Sequence, residues 1–137
     1  IDEKELKNMN ILDPVSRDEL ITHYKNADIL FLHLDDNQAC KKVLPSKIFE
    51  YAATGKPILA GVAGYPGAFI EEYITNAQVF PPCNSKLADE LVQKLEIVFQ
   101  PRDEFIDMFA RSNIMQKLAI DILDEVSSDA IGLNKHA

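Results

Sequence analysis

The sequence predicts an α/β domain in which helices flank a parallel sheet. Three observations point there. Short apolar runs alternate with stretches of helical periodicity. The connections between them are short and punctuated by proline and glycine. One run, Ala27 to Leu34 (ADILFLHL), is almost unbroken in apolar character, as in a strand covered on both faces at the centre of a parallel sheet. Strand and helix alternating through short links imply crossover connections in one sheet, with ligands bound at the carboxyl ends of its strands.

Each element has a local reason. Asn10 to Leu12 is a brief apolar stretch before Asp13-Pro14 and reads as a short strand. Ser16-Arg17-Asp18-Glu19 is a capping box, and the helix it opens carries Leu20, Ile21 and Tyr24 on one face. After the buried strand come a polar loop, Asp35 to Lys42, and Pro45-Ser46. A short helix then runs from about Lys47 to Thr54, with Gly55 beyond its end and Pro57 as a stop. Pro57 to Val62 is the next buried strand, and Gly61 to Gly67 is a glycine-rich turn before a helix over Ala68 to Tyr73. Gln78 to Phe80 is a strand ended by Pro81-Pro82. Asn84 or Ser85 caps a helix whose apolar positions run from Leu87 to Phe99, broken by Pro101. Helices over Asp103 to Ala110 and Asn113 to Val126 complete the pattern, with a polar tail outside the helix after Ser127.

Composition narrows the function. The 137 residues are 47% apolar, enough for one core, and 22 acidic against 14 basic residues give a net charge of −8. A nucleic-acid backbone is excluded as the main partner, because binding a polyanion needs a basic surface. A small anionic ligand held by a local patch is still allowed. Cys40 and Cys83 are too few for a disulfide scaffold and read as free thiols of a reducing compartment. No apolar run approaches the length of a membrane span. The chain begins at Ile1, which reads as a processed or excised piece of something longer.

Leu44 to Pro57 carries the most chemistry. It sets a helix start after a strand, so the backbone amides of Ser46 and Lys47 and the helix dipole form a place for phosphate or carboxylate. Lys47 adds positive charge. Glu50 follows one turn later on about the same face, where a carboxylate can accept two hydroxyl bonds from a ribose diol. Amides for a diphosphate and an acid for a ribose together describe a nucleotide site. The plainer alternative makes Ser46 an N-cap and Glu50 a solvated helix residue. Elsewhere, Asp35-Asp36 with Lys56-Pro57 hints at a receiver domain, but only one helix separates them, so solvated loop acids are the better reading. His23, His33 and His136 lack metal-ligand spacing, and His33 reads as a hydrogen-bonded core histidine.

The stretch PSKIFEYAATGKPILAG resembles the donor-site segment of GT-B glycosyltransferases of the retaining family 4 type, in the branch that builds bacterial surface polysaccharides. The likeness extends more weakly along the chain, through NILDPVSRDELITHYKNADILFLHL, PPCNSKLADELVQKL and FIDMFARSNIMQKLAIDIL. It implies a partial Rossmann-like parallel sheet, the later half of a GT-B C-terminal domain, with the acceptor domain and the first strands absent. Glu50 then matches the second glutamate of the family's E-x7-E motif and would hold the donor ribose. Ser46 and Lys47 match the segment that holds the diphosphate, and Val15 the turn that meets the base. Lys42 stands where the first glutamate would fall, a departure from the pattern.

The resemblance implies no catalytic residue within this chain. It implies no bound metal or cofactor, with a nucleotide-sugar, UDP-linked by expectation, as donor substrate. It implies a cytoplasmic enzyme that transfers a sugar to a glycan or lipid-linked acceptor, with the parent associated peripherally with the inner face of the membrane. The chain's partner would be the missing N-terminal portion of that parent, and the chain alone would be inactive. The unpaired N-terminal strand would also invite a homodimer. The rival reading is a nucleotide-binding or assembly module without catalysis. A sugar-nucleotide epimerase shares the architecture, but its acidic active-site signature is not visible.

Overall fold

The computed structural model describes residues 8–133, and their side chains through residue 126. Nine elements follow in order: α1 (Arg17–Asn26), β1 (Leu30–His33), α2 (Ser46–Ala53), β2 (Ile58–Gly61), α3 (Tyr65–Tyr73), β3 (Ala77–Phe80), α4 (Ser85–Lys94), α5 (Asp103–Phe109) and α6 (Arg111–Leu133). The strands form one parallel sheet in the order β1-β2-β3. This is the expected α/β class, a parallel sheet flanked by helices.

Local signals act where the sequence put them. Ser16 and Glu19 cap α1 reciprocally. The Asn84 side chain accepts from the Leu87 N–H to start α4. Gly55 follows α2 with φ +73°, a conformation that side chains with a Cβ rarely adopt, and a Cβ there would meet Phe99 Cε2 at 2.5 Å and the Gln100 carbonyl oxygen at 2.9 Å.

The two faces of the sheet follow period two. Leu30, Leu32, Ile58 and Ala60 point to one face, where they meet Ile48 and Ala52 of α2, Phe69 and Ile70 of α3, and Phe105 of α5. Leu59 and Phe80 point to the other, with Leu95 and the partly buried Leu87, Ala88 and Leu91.

Several expectations are corrected. β1 is not central. It forms the sheet's edge, and its burial alternates, with Phe31 55% exposed. The reason lies in its surroundings: α4 covers the second face over β2 and β3, and no strand among the described residues pairs with the outer edge of β1. β2 is the central strand, buried at every position. Asn10 to Leu12 forms no strand, and Ile11 is 77% exposed. Three residues without a ladder partner have nothing to hold them extended. The unpaired edge therefore belongs to β1, so the expected N-terminal edge strand is not present as a basis for a dimer.

The helix expected to reach Phe99 stops at Lys94. From Leu95 the chain crosses below the sheet as an irregular strap. The Asn76 side-chain amide donates to the Val98 carbonyl at 2.9 Å, and the Gln100 N–H to the Gly55 carbonyl at 2.9 Å. These bonds outcompete the continued helical period. Buried Arg102 anchors the strap, donating through Nη1 to the Ala52 carbonyl at 2.6 Å and through Nη2 to the Lys56 carbonyl at 3.0 Å and to Asn76 Oδ1. A cation at the end of α2 complements the helix dipole there. α3 begins three residues earlier than expected, with Pro66 in its first turn. α6 does not stop at Val126: its backbone stays helical through Ser127, Ser128 and Asp129, because no proline or glycine intervenes before Gly132. His136 lies outside the described residues.

Candidate functional site

The site is built around the first turns of α2. Pro45 is its N-cap, extended at φ −72° and ψ 141°, and no side chain caps the helix. Ser46 is the first helical residue rather than the cap. It is exposed, and the backbone N–H groups of Ser46 and Lys47 have no acceptor among the described residues. The exposed donors and the helix dipole keep this end suited to an anion.

One turn on, three side chains from two helices converge. The Lys47 ammonium donates to the Tyr24 hydroxyl at 2.6 Å and to Glu50 Oε2 at 3.3 Å, and the Tyr24 hydroxyl donates to the same Oε2 at 3.2 Å. The Tyr24 and Tyr51 rings meet edge to face at 5.3 Å, and the ammonium lies 5.4 Å from the first ring centre and 6.0 Å from the second. The hydrogen bond to Tyr24 raises the Lys47 pKa; partial burial opposes this and Glu50 adds to it. Burial raises the pKa of Tyr51. Lys47 is therefore a firm cation, committed to Glu50 and Tyr24 rather than held at the bare amides.

Tyr24 and Glu50 also line a groove of about 550 Å³ between α1 and the second half of α2, bordered by Arg17, Lys25, Lys56 and Phe99. Its volume suits a small organic ligand, and its rim carries three cations. Ser46 and Lys47 do not line it. Val15 stands exposed in the loop before α1 and does not line it either. Of the expected site residues, Lys47 and Glu50 are brought into contact, Ser46 lies one turn away, and Val15 makes no contact with the cluster.

Tyr24 is the residue that sequence reasoning missed. Its helical position marked it only as part of an apolar face, and no local pattern ties it to a carboxylate 26 positions later. Among the other singled-out residues, Asp36 pairs with Lys41 at 2.8 Å. His33 is hydrogen-bonded as expected, accepting at Nε2 from the Cys83 N–H at 3.1 Å, but it is exposed rather than in the core because β1 is an edge strand. Cys40 and Cys83 are free thiols. Among the described residues no group of three or more His, Cys, Asp or Glu could hold a metal ion, and no helix is long and apolar enough to cross a membrane. Comparison with known protein families, curated proteins and solved structures finds no match to the chain.

Proposed function

We propose that this chain is the donor-nucleotide-binding portion of a retaining GT-B glycosyltransferase, whose parent transfers a sugar from a UDP-sugar to a glycan or lipid-linked acceptor in surface polysaccharide synthesis. One observation carries the reading: a hydrogen-bonded carboxylate, Glu50, lies one turn inside an uncapped helix N-terminus in a parallel α/β fold. In this reading Glu50 receives the ribose hydroxyls and the Ser46 and Lys47 amides receive the diphosphate. As the glycosidic bond breaks, negative charge grows on the leaving diphosphate. Fixed amide donors, the helix dipole and the nearby Lys47 cation stabilise it without reorganising at that moment. The base lies towards Val15, and the acceptor is held by the remainder of the parent.

An NMR titration of the chain with UDP tests the reading. The Ser46 and Lys47 amide signals should shift, and Glu50→Ala should weaken binding by about 1–3 kcal/mol, the range for a charged hydrogen bond. Amide signals that stay in place up to millimolar UDP, or an unchanged affinity in Glu50→Ala, would remove the site. Binding by an intact parent that transfers no sugar would instead favour a non-catalytic module.

A further inference from the structure

We infer that Tyr24 is a positioning residue for the Glu50 carboxylate, and that the pair makes the site selective for ligands bearing a free ribose diol. The inference rests on the proposed nucleotide site and extends it to a second helix. Both protein contacts to the carboxylate fall on Oε2, from the Tyr24 hydroxyl and the Lys47 ammonium. Oε1 has no hydrogen-bond partner among the described residues. Its two lone pairs are therefore available to two hydroxyl donors, which is what a vicinal diol offers.

Tyr24 is placed to do this without strain. Its ring packs against the main core and stands edge-on to Tyr51. That packing needs a ring and not a hydroxyl. The hydroxyl's role is polar: it accepts from Lys47 and donates to Glu50. Lys47 and Glu50 share α2, and their contact alone would leave the carboxylate free to swing with the lysine stem, since each long side chain carries considerable rotamer freedom. A donor on α1 fixes the pair from outside. A carboxylate already held in place loses less freedom when the ligand arrives.

The test compares UDP with its 2′,3′-dideoxy analogue, which keeps the diphosphate and lacks the diol. Wild-type chain should prefer UDP by about tenfold or more, the worth of hydrogen bonds to a charged group. Tyr24→Phe keeps the ring and should lower that preference to about two- to threefold, with the analogue bound as before. In a Glu50→Ala background, Tyr24→Phe should change nothing further, because the group it positions is gone. A Tyr24→Phe chain with the full preference overturns the inference while leaving the nucleotide site standing. An equal loss for both ligands, or an effect that persists in Glu50→Ala, assigns Tyr24 to packing and also overturns it. A wild type that binds UDP without preferring it removes the ribose contact itself, and the inference with it.

Discussion

The two faces of the three-stranded sheet are made from equally apolar strands, yet they are covered very differently. On the first face, α2, α3 and α5 close over Leu30, Leu32, Ile58 and Ala60, and an aromatic cluster seals the outer layer, with Phe105 and Phe109 ring centres 4.7 Å apart and Phe69 and Tyr73 4.8 Å apart. On the second face α4 alone covers the sheet, contributes no fully buried residue of its own, and leaves Phe31 and His33 exposed at the edge. Leu30 and Phe31 are neighbours of similar hydrophobicity with 4% and 55% exposure. Burial here is decided by what lies above a residue, and strand composition marks only the capacity for it. The proposed site belongs to the first face, where Tyr24 and Tyr51 pack against the core.

The largest effects should come from truncations that set one face against the other. Ile70 is 1% exposed in the first core. Ile70→Ala should cost about 2–5 kcal/mol, combining lost transfer energy with the cavity left behind. Phe31→Ala removes a larger side chain but one mostly in water, and should cost no more than about 1 kcal/mol. Leu95→Ala, at 9% exposure under the single helix, should fall between them. Urea unfolding of the three variants gives the order directly. A Phe31→Ala loss equal to that of Ile70→Ala would mean that the second face is covered in solution.

A smaller contrast comes from one substitution made on both faces. A Cβ on Gly61 would point to the second face and meet His33 Cδ2 at 2.5 Å and Phe80 Cζ at 2.7 Å. His33 is exposed and can swing aside, at the expense of its bond from Cys83, but Phe80 is 2% exposed and has nowhere to go. Gly61→Ala should therefore cost about 1–3 kcal/mol by overpacking. A Cβ on Gly67 of α3 meets nothing closer than Val79 Cγ1 at 3.6 Å, an ordinary contact. Gly67→Ala should be neutral or stabilise by up to about 1 kcal/mol, because it restricts the unfolded chain at a helical position. Thermal melts of the two variants decide it, and the reverse order would show that the thinly covered face yields more readily than its packing suggests.

What was legible in the sequence is what nearest neighbours decide. The Ser16–Glu19 capping box, the turn at Gly55, the Asn84 cap and the positions of β2 and β3 need only a few adjacent residues. The pairing of Lys47 with Glu50 was legible for the same reason, since three positions along a helix bring side chains together. The errors arose where a distant segment decides. The apolar run over β1 is compatible with the centre of a sheet or its edge, and only the absence of a neighbouring strand separates the two. The apolar period after Leu95 continues, but Asn76 and Gly55 capture the backbone. Arg102 reaches carbonyls 46 and 50 positions away, and Tyr24 reaches a carboxylate from another helix. No periodicity encodes such contacts.

The smallest effect concerns the polar cluster on the outer side of the well-covered face. Lys47 has its pKa raised, first by the Tyr24 hydrogen bond. Its contribution to stability is fully present below the unfolded-state pKa near 10.5 and is lost as pH climbs through the higher folded-state value. Tyr51 acts in the same direction. Burial favours its neutral form, so above a pH of about 10 the unfolded chain ionises first and unfolding gains. Neither group should make stability vary between about pH 6 and pH 9. The Lys47 side chain is 42% exposed, so solvent screens much of the interaction and the effect should be far below that of Ile70→Ala. Melting temperatures at about pH 9 and pH 11 should fall in parallel for wild type and Ile70→Ala, since that core change leaves the cluster intact. Lys47→Met should fall less over the same interval, because the cation that is lost at high pH is already gone. Equal falls in all three would show that the Lys47, Tyr24 and Glu50 contacts contribute nothing to holding α1 against the covered face, whose stability would then lie entirely in its apolar layers.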